Sequence, residues 1–363
     1  MIEAADRQYR PDDAIPPGET VRESLEALGM TQAELSRRSG LSAKHVNQIL
    51  QGLAPVTPET ALAFERVLGV PARFWNSLEA NYRARRVRLR EGEVSAEDAE
   101  WIRRLPVKEL ADRGFIESST DAGTRRERLL TFFGVASRES WDAVWLAPDA
   151  SFRRSTVFAA DPHATAAWLR IGELEARSAD VAVFNRARFF VALEMIRSLM
   201  REPPGQFEPE MRRLCAESGV VLVITDGLAK TRANGVARWL SPTVALVQLS
   251  LRGRWEDVFW FSFFHEAGHI ALHGKRETFL EGDRRRGAEE QEADEFASNM
   301  LIPKRYEADL YRIRTLGEAQ AFARRLAIPP AIVVGRLQHE GLLAQRVGNR
   351  LRRRFALVAE PGS

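Results

Sequence analysis

Cysteine is nearly missing from this chain. A single thiol, Cys215, in 363 residues excludes an intramolecular disulfide and any cysteine-built metal site, and it suits a reducing compartment. Long apolar runs are missing too. The densest, residues 258–264, spans seven positions, against the roughly 18 that a membrane helix needs. The first ten residues lack the basic start and apolar stretch of a secretory signal, so a cytoplasmic, membrane-free protein is expected. Charge of one sign is also lacking: 53 Lys and Arg face 50 Asp and Glu, a net of +3. That balance excludes a uniformly polybasic, histone-like chain but leaves room for a local basic patch. The hydrophobic content of 45% is too high for general disorder.

At about 150 residues per domain the length predicts two or three domains. Residues 1–15 are patternless and read as a flexible arm. Five short helical segments follow over 16–90. Glu19–Leu28 ends at Gly29; Thr31 and Glu34 form a capping box for Gln32–Ser39; Ser42 caps a segment closed by Gly52. Thr57-Pro58 opens another that ends at Gly69, and Pro71 starts the last, which runs into the arginine-rich stretch 83–90. Residues 91–204 read as a helical middle or connector region, with long amphipathic stretches at 161–178 and 185–201 and no catalytic constellation. From 205 to 345 the texture changes. Buried strands are expected at 219–225 and 244–251, with 235–240 pairing to them, followed by helices over 257–274, 289–300, 318–327 and 330–340. Residues 346–363, with five arginines between 346 and 354, read as a mobile basic tail. The fold class expected is multidomain and mainly α, with a small α+β domain at the C-terminal end.

Within the first domain, residues 32–52 have helix-turn-helix spacing. Leu35, Leu41, Val46 and Ile49 fall where two crossing helices share a core; small Ser36 allows the close approach and Gly40 takes the turn. The outer face of the second helix then carries Ser42, Lys44, His45, Asn47 and Gln48, hydrogen-bonding types suited to base edges or phosphates. Gln32, at the start of the first helix, can reach a phosphate beside backbone amides. The runs Ile15-Pro-Pro-Gly-Glu-Thr-Val21, Gly29-Met-Thr-Gln-Ala-Glu-Leu35, Thr57-Pro-Glu-Thr-Ala-Leu62 and Ala72-Arg-Phe-Trp-Asn-Ser-Leu-Glu-Ala-Asn-Tyr82 resemble the lambda-repressor-type domains of HigA-family antitoxins. The resemblance implies a DNA-binding regulator, a homodimer on a palindromic double-stranded operator.

The sharpest chemical signal is His265-Glu-Ala-Gly-His269. On a helix, residues 265 and 269 lie on one face a turn apart, so two imidazoles can grip one ion, while Glu266 stands beside them to take a proton from water. A third ligand should come from the acidic run 289–294. Glu290 and Asp294 share a helix face, so one carboxylate can bind metal while the other holds a ligand imidazole. Glu289 and Glu292 are rivals within one residue of helical phase, and His273, four residues after His269, either supports the site or takes the place of Glu290. Tyr306, Tyr311, His273 and His339 have the chemistry to stabilise an oxyanion, and spacing selects none of them.

His265-Glu-Ala-Gly-His-Ile-Ala-Leu-His-Gly274, followed by Glu290-Gln-Glu-Ala-Asp-Glu-Phe-Ala-Ser-Asn-Met-Leu-Ile-Pro303, resembles the ImmA/IrrE family of metallopeptidases. The resemblance implies a zincin-like domain with one zinc ion per chain on His265, His269 and Glu290. It also implies Glu266 as general base, Asp294 behind a ligand, and a repressor protein as substrate. A zinc endopeptidase acting on a repressor, or on its own linker near 83–95, is one function these segments predict. A sensor whose zinc domain tunes DNA binding without turnover is a second, and an antitoxin paired with a toxin is a third.

Overall fold

The computed structural model describes residues 14–91, 94–146, 161–231, 233–251, 255–273 and 284–355. The chain is multidomain and mainly helical, with one small sheet. It divides into two compact units, one up to Ala96 together with Asp121–Thr124, the other Glu97–Thr120 and from Arg125 onward. No described helix is long and apolar enough to cross a membrane.

The first unit holds α1 (Pro17–Ala27), α2 (Gln32–Ser39), α3 (Ala43–Leu50), α4 (Pro58–Leu68) and α5 (Ala72–Glu91). Their inward residues, among them Val21, Leu35, Val46, Ile49, Phe64 and Trp75, form a core of their own, and Leu41 packs at its margin. The expected caps hold: Thr31, Ser42 and Thr57 accept from the amides of Glu34, His45 and Thr60. Only half of the box at Thr31 forms. The Glu34 carboxylate is taken instead by Arg37 and Arg38 one turn on, because a guanidinium is a stronger donor than a backbone amide. At Gly18 α1 touches α3 backbone to backbone; a Cβ there would fall 2.4 Å from the Ile49 carbonyl oxygen.

The second unit begins with α6 (Ala96–Arg104), α7 (Val107–Asp112), α8 (Ala122–Phe133) and α9 (Arg138–Trp141), followed by a π-helical turn over Asp142–Leu146. Trp101, Phe133, Trp141 and Trp145 pack edge to face here. Then come α10 (Pro162–Arg177), α11 (Arg186–Ser198), α12 (Pro204–Glu217), the strands β1 (Val220–Thr225), β2 (Gly235–Ser241) and β3 (Val244–Ser250), and α13 (Glu256–Leu272). The chain continues with α14 (Arg284–Leu301), α15 (Glu307–Leu310), α16 (Leu316–Leu326) and α17 (Pro330–His339).

The sheet order is β1-β3-β2, with β1 parallel and β2 antiparallel to β3. Because side chains alternate along a strand, Val220, Leu222, Ile224, Ala245, Val247 and Leu249 face one core, shared with α11 to α13. Val221, Val223 and Leu246 face the other way, onto Ala176 of α10. There Gln248 donates to the Trp168 carbonyl at 2.7 Å, and the Trp168 indole donates to Thr225 at 3.0 Å. α10 therefore covers one face of the sheet while α11 packs on α12, α13 and α14, so residues 161–204 belong to the second unit instead of forming a separate connector, and the two-unit division places no break at 204. The N-terminal unit extends to 96, six residues past the expected boundary at 90.

The basic tail expected from 346 also reads differently. Residues 349–355 return to the start of α13, where Arg354 bridges Trp255, Arg352 pairs with Asp257 at 2.8 Å, and Phe355 is buried against Phe207 and Phe259. The Arg352 and Arg354 guanidiniums lie over the Trp255 ring, so the charge is used in packing. Residues 1–13 of the arm, Gly274, the 92–93 boundary and the last eight positions lie outside the described residues.

This return buries Glu256. Its Oε2 has no hydrogen-bond partner among the described residues, and burial pushes its carboxyl up to about 7. The folded chain therefore binds a proton near neutrality that the unfolded chain has already released. Stability contributed by that proton is present at low pH and falls as pH rises from about 4.5 to about 7. Glu256→Gln should flatten that slope and stabilise the protein at pH 8 by about 2–3 kcal/mol. Urea denaturation across pH checks this, and an unchanged slope contradicts it.

Candidate functional site

Two constellations stand out, one in each unit. In the first, Gly40 adopts the left-handed conformation at φ 74° between α2 and α3, and the Ser36 hydroxyl donates to the Leu41 carbonyl at 2.6 Å across the turn. Burying Val46, Ile49 and Leu50 turns the opposite side of α3 outward. Lys44 and Asn47 are exposed, His45 and Gln48 half-buried, and Gln32 is exposed at the first position of α2. Ser42 is exposed, but its oxygen is engaged as the cap of α3. Gln51, exposed and seven residues after Lys44, shares that outward face. Sequence reasoning passed over it because it falls at the helix end.

The second constellation lies where α13 meets α14. Gly268 permits the approach, since a Cβ there would fall 3.3 Å from the Ala293 Cα. Glu290 and Asp294 flank Ala293 and so project over the His265 and His269 turn. The two Nε2 atoms lie 3.1 Å apart, and Glu290 Oε2 lies 3.3 Å from His265 Nε2 and 3.7 Å from His269 Nε2. Donors about 2.0–2.1 Å from a tetrahedral zinc stand roughly 3.3 Å from one another, so these residues fit the ion. Their protonation points the same way. Burial works against a charged His265, but Glu290, Glu266 and Asp294 outweigh it and raise that imidazole to about 9. Hydrogen bonds from His265 and His269 hold the Glu290 carboxyl well below the usual carboxylate range. Both shifts mark a place that favours positive charge.

Each imidazole is braced at its other nitrogen. His265 Nδ1 meets Asp294 Oδ1 at 2.8 Å; His269 Nδ1 meets His273 Nδ1 at 3.1 Å, and His273 Nε2 meets Glu292 at 3.3 Å. Such outer partners fix ring orientation and tautomer. His273 is thus placed behind the His269 imidazole, and Glu290, not His273, is the third converging donor. Glu292 faces His273, and Glu289 is not among the converging donors.

Glu266, beside the two imidazoles, also reaches the edge strand β2. Burial pushes its carboxyl up to about 7, against the pull of both imidazoles and the Ala237 backbone amide. Gly235 makes room for it, because a Cβ at that position would stand 2.7 Å from Glu266 Cγ. Neither β2 contact was legible from the motif, which is silent on what lies across from its glutamate. The Phe261 ring, one turn before His265 and partly exposed, lies 6.1 Å from the imidazole. Of the oxyanion candidates only His273 touches the cluster. Tyr306 packs on Phe322, the Tyr311 hydroxyl donates to Glu307, and His339 is exposed at the end of α17.

Residues 21–75 match the family model for a helix-turn-helix. A 63-residue stretch is 30% identical to the uncharacterized HTH-type transcriptional regulator YddM of Escherichia coli (strain K12), covering 17% of this chain and 67% of that one. The chain belongs to the helix-turn-helix family. This helix-turn-helix protein carries a second domain, since residues 256–338 match the IrrE N-terminal-like domain. That match spans α13, α14 and α17, and with them His265, Glu266, His269 and Glu290.

Proposed function

We propose that this chain is a DNA-binding transcription regulator whose C-terminal domain is a zinc-dependent endopeptidase that cuts a protein, such as a repressor, in a regulatory response. The observation that carries the enzymatic half is the convergence of three donor atoms beside a buried carboxylate that none of them uses. His265, His269 and Glu290 would hold the ion, with Asp294 and His273 orienting the imidazoles. Zinc bound there supplies a Lewis acid that polarises a peptide carbonyl and makes water a better nucleophile. Glu266, held by the Ala237 amide, accepts the proton of the attacking water on its carboxylate and returns it to the leaving amine. A partner protein is better supported as substrate than bonds 83–91 of the chain's own linker, because 72–91 is one continuous helix and a scissile bond must be extended.

Gly235→Ala should displace the Glu266 carboxylate, and a shift of about 1 Å is enough to cost about 10²-fold in cleavage. Zinc content should stay the same, and full activity in this variant would remove β2 from the mechanism.

In the DNA-binding half, a homodimer would present Lys44, Asn47, Gln48 and Gln51 to a palindromic operator. Its likeness to HigA-family antitoxins supports that dimeric arrangement. Asn47→Ala should cost about 1–3 kcal/mol against the preferred base and relax specificity at that position. Binding to operators selected from a random pool measures this, and an unaltered preference counts against base reading by α3. The decisive experiment for the whole reading is elemental analysis of the purified chain together with a zinc-restored cleavage assay. A chain that retains no stoichiometric zinc, and cuts nothing when zinc is supplied, would remove the peptidase.

A further inference from the structure

We propose that a cleft between the start of α13 and the strands β2 and β3 is the subsite for the side chain next to the scissile bond, and that it selects a short one: Ala, Ser, Thr or Val. The inference rests on the peptidase reading above and deepens it by naming the chemistry of the substrate.

The cleft opens among Asn234, Leu249, Leu251, Trp255, Val258 and Ser262. Three of these adjoin Glu266 by different routes. Ser262 stands one helical turn before it on α13, where residues four apart share a face. Asn234 directly precedes Gly235, the residue that makes room for the Glu266 side chain. Leu249 pairs with Gly235 across the β2–β3 ladder. The cleft therefore begins where the proton-transferring carboxylate is held. Three or four residues of helix rise by about 4.5–6 Å, and successive Cα atoms of a peptide lie about 3.8 Å apart. A peptide whose carbonyl is attacked beside Glu266 thus brings a flanking side chain to the level of Ser262.

The walls set the chemistry. Leu249 and Leu251 are buried and Trp255 and Val258 half-buried, so the lining is mainly apolar. The Trp255 wall is held by the Arg352 and Arg354 guanidiniums over its ring. Two polar side chains interrupt this surface. The Ser262 hydroxyl, on a residue only 9% exposed, and the Asn234 carboxamide have no hydrogen-bond partner among the described residues. A nearly buried hydroxyl without a partner is costly, and a Ser or Thr hydroxyl of a substrate would satisfy it. The inner space, about 10 Å³, has room for one group the size of a water molecule. A methyl or a hydroxyl fits it; an aromatic ring does not. No charged residue lines the cleft, so a Lys, Arg, Asp or Glu side chain would be buried there unpaired.

The test gives the zinc-loaded full-length chain an equimolar mixture of unstructured peptides randomised at every position and locates the cuts by mass spectrometry. Ala, Ser, Thr and Val should be enriched at one fixed position beside the cut, with Phe, Trp, Lys and Glu depleted. Val258→Ala enlarges the cleft and should admit Leu and Met at that position. Ser262→Leu fills it and should reduce cutting of Val peptides relative to Gly peptides by about 10- to 200-fold, the range that a methylene of fit is worth. The peptides compete in one mixture, so these ratios are read even where a variant is slower overall. Zinc content equal to wild type shows that a variant keeps its metal site; if Ser262→Leu loses it, Val258→Ala decides alone. Cuts flanked by residues at random, or a preference that the variants do not shift, overturn the subsite and leave the peptidase reading intact. Wild type that cuts none of the peptides removes the peptidase reading, and the subsite with it.

Discussion

Glu266→Gln is expected to lower peptide-bond cleavage by about 10²–10⁴-fold, the range that a positioned general acid–base contributes. The substitution is close to isosteric. An amide oxygen can still accept from the Ala237 backbone, and Gly235 still leaves room for the side chain, so the cradle on β2 survives. What is lost is the ability to take and return a proton. Metal content should match wild type, because the Glu266 oxygens are not among the converging donors. The two readouts together discriminate: loss of cleavage with zinc retained assigns the proton to Glu266. Equal fragment appearance in both proteins removes it from the chemistry. If gene regulation persists in a variant that no longer cleaves, the domain works as a ligand or peptide sensor rather than through turnover.

How much of this site could be read in advance differs by residue. The pairing of His265 with His269 follows from helical geometry alone, since residues four apart meet on one face whatever the surroundings. The third converging donor depends on the rotation of a second helix about its axis. Helix α14 begins at Arg284, five residues before the expected start at 289, and over the acidic run 289–294 each residue turns the face by about 100°. Composition cannot resolve that phase; contact of Ala293 with Gly268 does, by fixing which side of α14 lies against α13. The edge-strand contacts of Glu266 and the bracing of His273 by Glu292 join residues far apart in sequence, with no periodic signature. The C-terminal arginines were misread because a charge run looks solvated until an aromatic ring and a carboxylate, Trp255 and Asp257, are found to receive it. The core, turn glycine and N-caps of the helix-turn-helix were legible because they are local; the diversion of the Glu34 carboxylate to Arg37 and Arg38 and the place of Gln51 on the outward face were not.

His269→Ala should abolish stoichiometric zinc and remove the stabilisation that zinc gives. With one imidazole gone, two donors remain, too few to hold the ion against water and chelators. His273 lies behind the His269 ring, its Nδ1 3.1 Å from the His269 Nδ1 and its Nε2 held by Glu292 at 3.3 Å, so it is not among the converging donors. A ligand that binds only the folded state at a thousand times its dissociation constant adds about 4 kcal/mol. For a unit of this size that is on the order of 10 °C in melting temperature. The wild type should therefore lose about that much when treated with a strong chelator and regain it with zinc, while His269→Ala should melt at the low temperature under both conditions. Asp294→Ala should fall between them. It leaves all three donors but frees the His265 ring that Asp294 holds at 2.8 Å, and losing such a partner weakens metal affinity by about 10–100-fold. Saturating zinc should therefore rescue Asp294→Ala and not His269→Ala. The ion would tie α13 to α14 across their contact, so the stabilisation reads out ligation itself, independently of any substrate. A wild type whose melting is indifferent to chelator and to zinc would show that these side chains hold a proton and no metal.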